Sequence, residues 1–172
     1  MVTIGGSDSL GISGQLLDFI GNKVCRKWPR LHIDFIIGPF APQDSERNGL
    51  PENLICHVNP ENFADLVRQA DIAISAGGQT LFELARCGVA TVGFALAHNQ
   101  LANLQALDRM GAIRTIGMPD GDNWLEELET ELGQLIDDAQ MRENLSSTCS
   151  RIIDGLGATR IANAIKEFTC VD

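Results

Sequence analysis

The sequence lacks any apolar run long enough to cross a bilayer, which takes about 20 residues. Its opening residues, MVTIGGSD, contain no basic residue and no apolar core of the kind found in a secretory signal. These two absences predict a cytoplasmic protein without a membrane span. At 172 residues the chain is expected to form one domain, residues 1–172, with a substantial core.

Basic residues are scarce. The chain has 13 Lys and Arg against 23 Asp and Glu, which gives a formal net charge of −10. Because non-specific nucleic-acid binding relies on a basic surface, this balance predicts no nucleic-acid partner. The acidic residues concentrate after Pro119, where they are typical of a solvated helix face. Binding of an anionic ligand would therefore depend on local backbone dipoles, because the negative electrostatic field of the whole chain opposes it.

Cysteine and histidine do not combine into any known metal-binding spacing, and the cysteines form no CxxC pair. The cysteines are therefore predicted to be reduced thiols in a reducing compartment. No metal and no cofactor are predicted. The residues concerned are Cys25, Cys56, Cys87, Cys149 and Cys170, together with His32, His57 and His98.

Strand patterns alternate with helix patterns along the whole chain, which predicts an α/β fold. We expect a single Rossmann-like domain with a six-stranded parallel sheet and helices on both faces. One helix is expected to begin at Pro60, with Asn59 as its N-cap. The strands are predicted over residues 2–4, 32–37, 54–58, 71–75, 90–94 and 112–116, and the other helices over 13–27, 79–86, 99–110, 122–135, 139–149 and 157–168.

Two glycine turns follow predicted strands. The first is Gly5-Gly6-Ser7-Asp8, and the second is Ala76-Gly77-Gly78-Gln79-Thr80, which opens a helix. Since the carboxyl ends of parallel strands gather at one edge, both turns are expected at a shared crevice. Bare amides at a helix N-terminus favour a phosphate. Glu83 lies one turn beyond Thr80 and can accept hydrogen bonds from sugar hydroxyls. This pairing predicts a nucleotide or nucleotide-sugar site.

Each of these features also has a purely structural interpretation. The first turn is equally typical of a tight strand-to-helix connection with an N-cap, and Gln79 and Thr80 can simply cap their helix. Glu83 can be an exposed helical glutamate, and Ala97-His98-Asn99-Gln100 can be a polar loop before a helix. No P-loop or GxGxxG pattern occurs, and His98 has no accompanying serine or cysteine nucleophile pattern.

The chain resembles the C-terminal half of GT-B-type nucleotide-sugar enzymes. The resemblance runs from Thr3-Ile4-Gly5-Gly6-Ser7-Asp8 to Ala112 and is strongest in Ala70–Ile74, Ala76–Thr80, Glu83, Gly88 and Asn99-Gln100. Among these enzymes, the chain most resembles the nucleotide-sugar hydrolase of pseudaminic acid biosynthesis and the spore coat polysaccharide biosynthesis proteins. It is more distantly similar to the peptidoglycan N-acetylglucosaminyltransferase.

The resemblance implies a role for each motif. It implies that the Gly6-Ser7 loop and the helix start Gly77-Gly78-Gln79-Thr80 hold the diphosphate of a UDP-sugar. Glu83 would bind the ribose, and the backbone at Val58 would contact uracil. His98, Asn99 and Gln100 would face the sugar or the diphosphate.

In these enzymes an N-terminal domain precedes the glycine-turn strand and supplies the catalytic histidine of the hydrolases. The resemblance therefore implies that this chain works with such a domain, and that alone it binds UDP-sugar weakly and has no activity. An isolated half would expose an apolar face, which favours self-association. Two alternatives remain open: a stand-alone, non-catalytic nucleotide-binding or interaction module, and half of a nucleotide-sugar 2-epimerase.

Overall fold

A computed structural model describes residues 1–41 and 49–169 of the chain. Its centre is a six-stranded, fully parallel sheet in the order β3-β2-β1-β4-β5-β6, so the predicted Rossmann-like fold is confirmed. The chain winds outward from β1 in one direction and from β4 in the other, which creates a switch point between these two strands. The strands are β1 (Val2–Thr3), β2 (Ile33–Ile37), β3 (Leu54–Val58), β4 (Ile72–Ala76), β5 (Ala90–Phe94) and β6 (Arg114–Thr115).

Helices cover both faces of the sheet because each parallel connection must cross over it. The first helical segment runs from Ser13 to Lys27 as predicted, but it contains a π-helical turn at Ile20–Val24 between α1 (Ser13–Phe19) and α2 (Cys25–Lys27). The other helices are α3 (Phe63–Gln69), α4 (Gln79–Arg86), α5 (His98–Arg109), α6 (Trp124–Asp137), α7 (Ala139–Ile152) and α8 (Gly157–Thr169).

The core lies in two layers. On one face of the sheet, Leu16 of α1, Ile20 of the π-helical turn and Leu128 of α6 pack in one core cluster with Phe35 and Val92. The other face is covered by α3, α4 and α5, through side chains that include Val67, Leu81, Leu84, Leu104 and Leu107. The carboxyl ends of the strands therefore form an edge, called here the carboxyl edge, between two helical layers.

The start of α3 differs from the prediction. The expected cap-and-proline start at Asn59-Pro60 was wrong, because α3 begins at Phe63 with Asn62 as its N-cap. The N–H of Asn59 instead donates to the carbonyl of Ile37 at 2.9 Å, which keeps this residue on the sheet edge. Asn59 has φ of +44°, a left-handed conformation that asparagine tolerates better than most residues.

The other predicted helices and strands are present, with ends that differ from the predicted ones by at most three residues. Of the predicted loop between Gly38 and Pro51, residues 42–48 lie outside the described residues. Cys25, Cys87 and Cys149 are free thiols, Cys56 lies half-buried in β3, and Cys170 lies outside the described residues. Within residues 1–41 and 49–169, no helix has both the length and the apolarity of a membrane span.

Candidate functional site

The two glycine turns meet at the carboxyl edge, as the sequence predicted. Gly5, Gly6 and Thr80 line one cavity of about 170 Å³ beside the switch point between β1 and β4. The rest of its lining comes from neighbouring strand ends and the start of α3: Thr3, Ile36, Ile37, Gly38, Pro39, Asn59, Pro60 and Phe63. The cavity is smaller than the roughly 300–1,000 Å³ typical of complete small-molecule sites, so it accommodates only part of a nucleotide-sugar.

The first turn is closed by its own acidic residue. The two carboxylate oxygens of Asp8 accept hydrogen bonds from the N–H groups of Ile12 and Ser13, each at 2.9 Å, and from the Ser13 hydroxyl at 2.6 Å. These groups lie at the start of α1, where a bound anion would otherwise be stabilised. Asp8 therefore acts as a helix cap, and α1 offers little to a phosphate.

Backbone packing holds the first turn against the end of β2. A Cβ atom placed on Gly38 would lie 2.2 Å from the Gly5 carbonyl oxygen and 2.6 Å from that of Gly6. The Gly6 carbonyl also accepts a hydrogen bond from the N–H of Phe40 at 2.9 Å. Only glycine fits at position 38, and Gly6 presents its backbone next to the cavity while Ser7 is exposed to solvent.

The second turn leaves its helix start open. Gly78 is the N-cap of α4 in an extended conformation, and no side chain caps this helix. The N–H of Gly77 donates to the carbonyl of Phe94 at 2.8 Å, which fastens the turn to β5, and Leu81 donates to the Gly78 carbonyl at 3.2 Å. Within residues 1–41 and 49–169, the N–H groups of Gln79 and Thr80 have no hydrogen-bond acceptor. They remain available to a ligand.

The start of α5 lies beside this turn. A Cβ atom on Gly77 would lie 3.1 Å from the Cβ of Gln100, and one on Gly78 would lie 3.8 Å from its Nε2. The side-chain oxygen of Gln100 accepts the N–H of Leu96 at 2.8 Å, which leaves its two N–H donors on the side of Gly78. His98 and Asn99 are exposed in the first turn of α5, and no side chain caps this helix.

Apart from α2, which continues the first helical segment, the other helix starts in the described chain carry acidic residues. The acids lie in the first turn or just ahead of it: Asp8 for α1, Asp65 for α3, Glu126 and Glu127 for α6, Asp138 for α7 and Asp154 for α8. Within the described residues, α4 and α5 have no acid in their first turns and none just ahead of them. In a chain of net charge −10, these two adjacent helix starts are therefore the places best suited to an anion.

Of the predicted site residues, all of which the structure describes, Gly6 and Thr80 line the cavity and the others do not. Glu83 is exposed one turn along α4 from Thr80, on the same side of the helix. Val58 is half-exposed at the end of β3, and the following residue, Asn59, does line the cavity. Sequence reasoning missed Phe40, which lies next to Gly6 and is 82% exposed. The only sequence signal for it is a large apolar residue in a loop rich in glycine and proline.

No catalytic constellation forms at the carboxyl edge within the described chain. Burial raises the pKa of the Cys149 thiol to about 11, and this thiol donates to the Ala112 carbonyl, so it is not an activated nucleophile. The ring of His57 lies 2.7 Å from a carboxylate oxygen of Asp34, which accounts for this histidine structurally. The described residues contain no group of three side chains suited to a metal ion.

Comparison with solved structures identifies the fold. The glycosyltransferase of kitacinnamycin matches 96% of this chain with a TM-score of 0.72 and 24% identity. The spinosyn rhamnosyltransferase SpnG, solved in complex with thymidine diphosphate, matches 91% with a TM-score of 0.68 and 16% identity. The chain has the fold of a GT-B glycosyltransferase domain. It spans 42% and 40% of those two chains, respectively.

Among curated proteins, the chain is 26% identical over 134 residues to a Helicobacter pylori protein. That protein is a pseudaminic acid cytidylyltransferase and UDP-2,4-diacetamido-2,4,6-trideoxy-beta-L-altropyranose hydrolase. The match covers 78% of this chain and 24% of the relative. No protein-family model matches the chain.

Proposed function

We propose that this chain is the nucleotide-binding domain of an enzyme that uses a UDP-sugar, either a hydrolase or a glycosyltransferase of polysaccharide or nonulosonic acid biosynthesis. The observation that carries the proposal is the pair of open, acid-free helix starts at the carboxyl edge, that of α4 at the switch point and that of α5 beside it. The thymidine diphosphate complex of SpnG and the UDP-sugar hydrolase activity in the name of the H. pylori relative support a nucleoside diphosphate as the ligand.

The diphosphate is proposed to bind at these helix starts. The free N–H groups of Gln79 and Thr80 point out of α4, and the backbone of Gly77 and Gly78 adds no side chain that would block an approach. Gly6 and Ser7 approach from the neighbouring turn. A charged phosphate oxygen strengthens each of these hydrogen bonds relative to a neutral acceptor.

The remaining parts of the ligand follow from the order of the strands. Glu83 is proposed to accept hydrogen bonds from the ribose hydroxyls, and the backbone at Val58 to contact the uracil. On the other side of the diphosphate, the free amide of Gln100, with His98 and Asn99, faces the sugar. The ligand would therefore extend along the carboxyl edge from β3 to β5.

The reaction is proposed to be displacement at the anomeric carbon of the sugar. The bond from this carbon to the diphosphate oxygen breaks, UDP leaves with the electron pair, and water or an acceptor hydroxyl forms the new bond and loses a proton. The amides that hold the ground-state diphosphate also stabilise the negative charge that develops on it. Cleavage of a P–O bond to release UMP would draw on the same groups.

The group that accepts the proton is proposed to come from a second domain. The matched glycosyltransferases are more than twice as long as the region that this chain covers, since that region is 40% to 42% of their length. A cleft closed by two domains would also complete the cavity of about 170 Å³. We therefore expect the described domain to bind nucleotide without turning over UDP-sugars.

Calorimetric titration with UDP, UMP, ADP and dTDP tests the proposal. We expect UDP to bind more tightly than UMP, because UMP lacks one phosphate for the α4 amides, and more tightly than ADP. Binding is expected to be weak, because one domain buries only part of the ligand. The absence of UDP binding at millimolar concentration would refute the proposal.

A proline substitution separates the backbone amide from the side chain at the start of α4. Gln79→Pro removes one free N–H, and proline is tolerated at the first position of a helix. Gly78 is already extended, with φ of −86° and ψ of −158°, as a residue before proline must be. We expect Gln79→Pro to bind UDP about 10-fold more weakly than the matched control Gln79→Ala, which keeps the amide. Equal affinities would exclude this amide from the site.

A further inference from the structure

The loops along the carboxyl edge divide by polarity. Leu10 and Phe40, which follow β1 and β2, and Val58, the last residue of β3, are exposed apolar side chains. In contrast, no large apolar side chain is exposed in the described residues directly after β4 and β5, where Gln79, His98 and Asn99 are exposed. One half of the edge therefore suits a charged and hydroxylated group, and the other half suits an apolar surface.

Phe40 is the most exposed of the three apolar residues, with 82% of its surface accessible. Its backbone is held in place, because its N–H donates to the Gly6 carbonyl at 2.9 Å. Its ring lies beside Gly6, since a Cβ atom on that glycine would be 3.9 Å from the ring carbon Cδ2. Phe40 thus presents an aromatic ring on a fixed backbone next to the residue proposed to hold the diphosphate.

We propose that Phe40 provides the surface on which the nucleobase stacks, an inference that rests on the proposed nucleotide site. Strands in a sheet are about 4.8 Å apart, so the ends of β4, β1, β2 and β3 are a series of evenly spaced positions. A diphosphate at the start of α4 places the ribose and then the base over β1 and β2. Phe40 follows β2 and therefore lies between the diphosphate and the end of β3.

A stacking role has a physical consequence that a packing role lacks. The face of a planar base gains contact with an aromatic ring, whereas a phosphate gains nothing from it. Loss of the ring should therefore weaken ligands that carry a base and leave inorganic pyrophosphate unaffected. This difference separates stacking from a general effect on the shape of the loop.

The test is calorimetric titration of wild type and Phe40→Ala with UDP and with inorganic pyrophosphate. Stacking on an aromatic side chain predicts a loss of about 5- to 150-fold in UDP affinity for Phe40→Ala and no change for pyrophosphate. Met110→Ala is the matched control, because Met110 is 58% exposed at the far end of α5. It should bind UDP as wild type does.

Phe40→Trp adds a spectroscopic measurement. It should keep the UDP affinity, and saturating UDP should quench the fluorescence of the new indole, because a stacked base lies against its face. Absence of this quenching, equal UDP affinity of wild type and Phe40→Ala, or parallel losses for UDP and pyrophosphate would each overturn the stacking proposal. If wild type itself binds no UDP, the nucleotide site fails and not merely the role of Phe40.

Discussion

The starts of α1 and α4 share one arrangement and differ in one side chain. Each helix follows a parallel strand and a pair of glycines, and the two turns line the same cavity. At α1, the carboxylate of Asp8 accepts the N–H groups of Ile12 and Ser13. At α4, the N–H groups of Gln79 and Thr80 have no acceptor within the described chain.

This difference shows that a glycine turn before a helix does not by itself make a phosphate site. The dipole and the free amides at a helix start attract any nearby anion, and a carboxylate of the same chain satisfies them as well as a phosphate does. The distinguishing feature is the absence of an acid, which holds at α4 and at the adjacent α5. The following predictions test whether that absence is functional.

The largest effect is expected when α4 is given the acid that α1 has. In Gly78→Asp the new carboxylate can accept the free amides of α4, and it also repels a diphosphate. Its Cβ has room, because the nearest atom is Nε2 of Gln100 at 3.8 Å. We expect UDP affinity to fall about 100-fold in a calorimetric titration, since each hydrogen bond to a charged group contributes about 1.5–3 kcal/mol.

Gly78→Asn is the matched control for charge. Asparagine caps a helix as well as aspartate does but carries no charge, so it should weaken UDP binding less than Gly78→Asp. The urea midpoint of unfolding should be equal to or slightly above that of wild type in both variants, because a side chain that caps the helix replaces a glycine that does not. Wild-type UDP affinity in Gly78→Asp would mean that the open start of α4 is not the phosphate site.

The next largest effect, on the free energy of unfolding, is expected when the Asp8 carboxylate that caps α1 is removed. Asp8→Ala loses three hydrogen bonds, two of them to backbone N–H groups of the helix start, and should lower the free energy of unfolding by about 2 kcal/mol. Asp138→Ala is the comparison, because Asp138 accepts a single backbone N–H, that of Met141. It should cost about 1 kcal/mol in the same urea titration. A smaller loss for Asp8→Ala than for Asp138→Ala would contradict the cap.

The sequence was sufficient to predict the six-stranded parallel sheet and the meeting of its two glycine turns. Both follow from the order of strand and helix patterns, since parallel strands bring their carboxyl ends to one edge. Whether Asp8 caps a helix or binds a ligand could not be predicted. Both roles need a carboxylate a few residues before a helix, and only the positions of Ile12 and Ser13 distinguish them.

Two other features, the start of α3 and the position of Phe40, depend on contacts between residues that are far apart in the sequence. Asn59 looked like an N-cap followed by proline, but its N–H bonds to Ile37 on the neighbouring strand, and α3 begins later. The position of Phe40 depends on its contacts with Gly6, which is 34 residues away along the chain. Local propensity contains no information about either contact, because both are made across the sheet.

The smallest effect is expected at the start of α8, where Asp154 is exposed. The Arg160 guanidinium, together with the N–H of Leu156, holds the pKa of Asp154 at about 2. A lowered pKa in the folded state means that the contribution to stability is present above the ordinary pKa of aspartate and is lost as the pH falls through about 2. Carboxyl NMR titration should show this midpoint, and Arg160→Gln should raise the pKa towards the ordinary aspartate value of 3.8. Because both side chains are exposed, salt should also weaken the pairing. An unchanged midpoint in Arg160→Gln would attribute the low pKa of Asp154 to the N–H of Leu156 at the helix start alone. Asp154 would then resemble Asp8, whose carboxylate accepts hydrogen bonds from the start of α1.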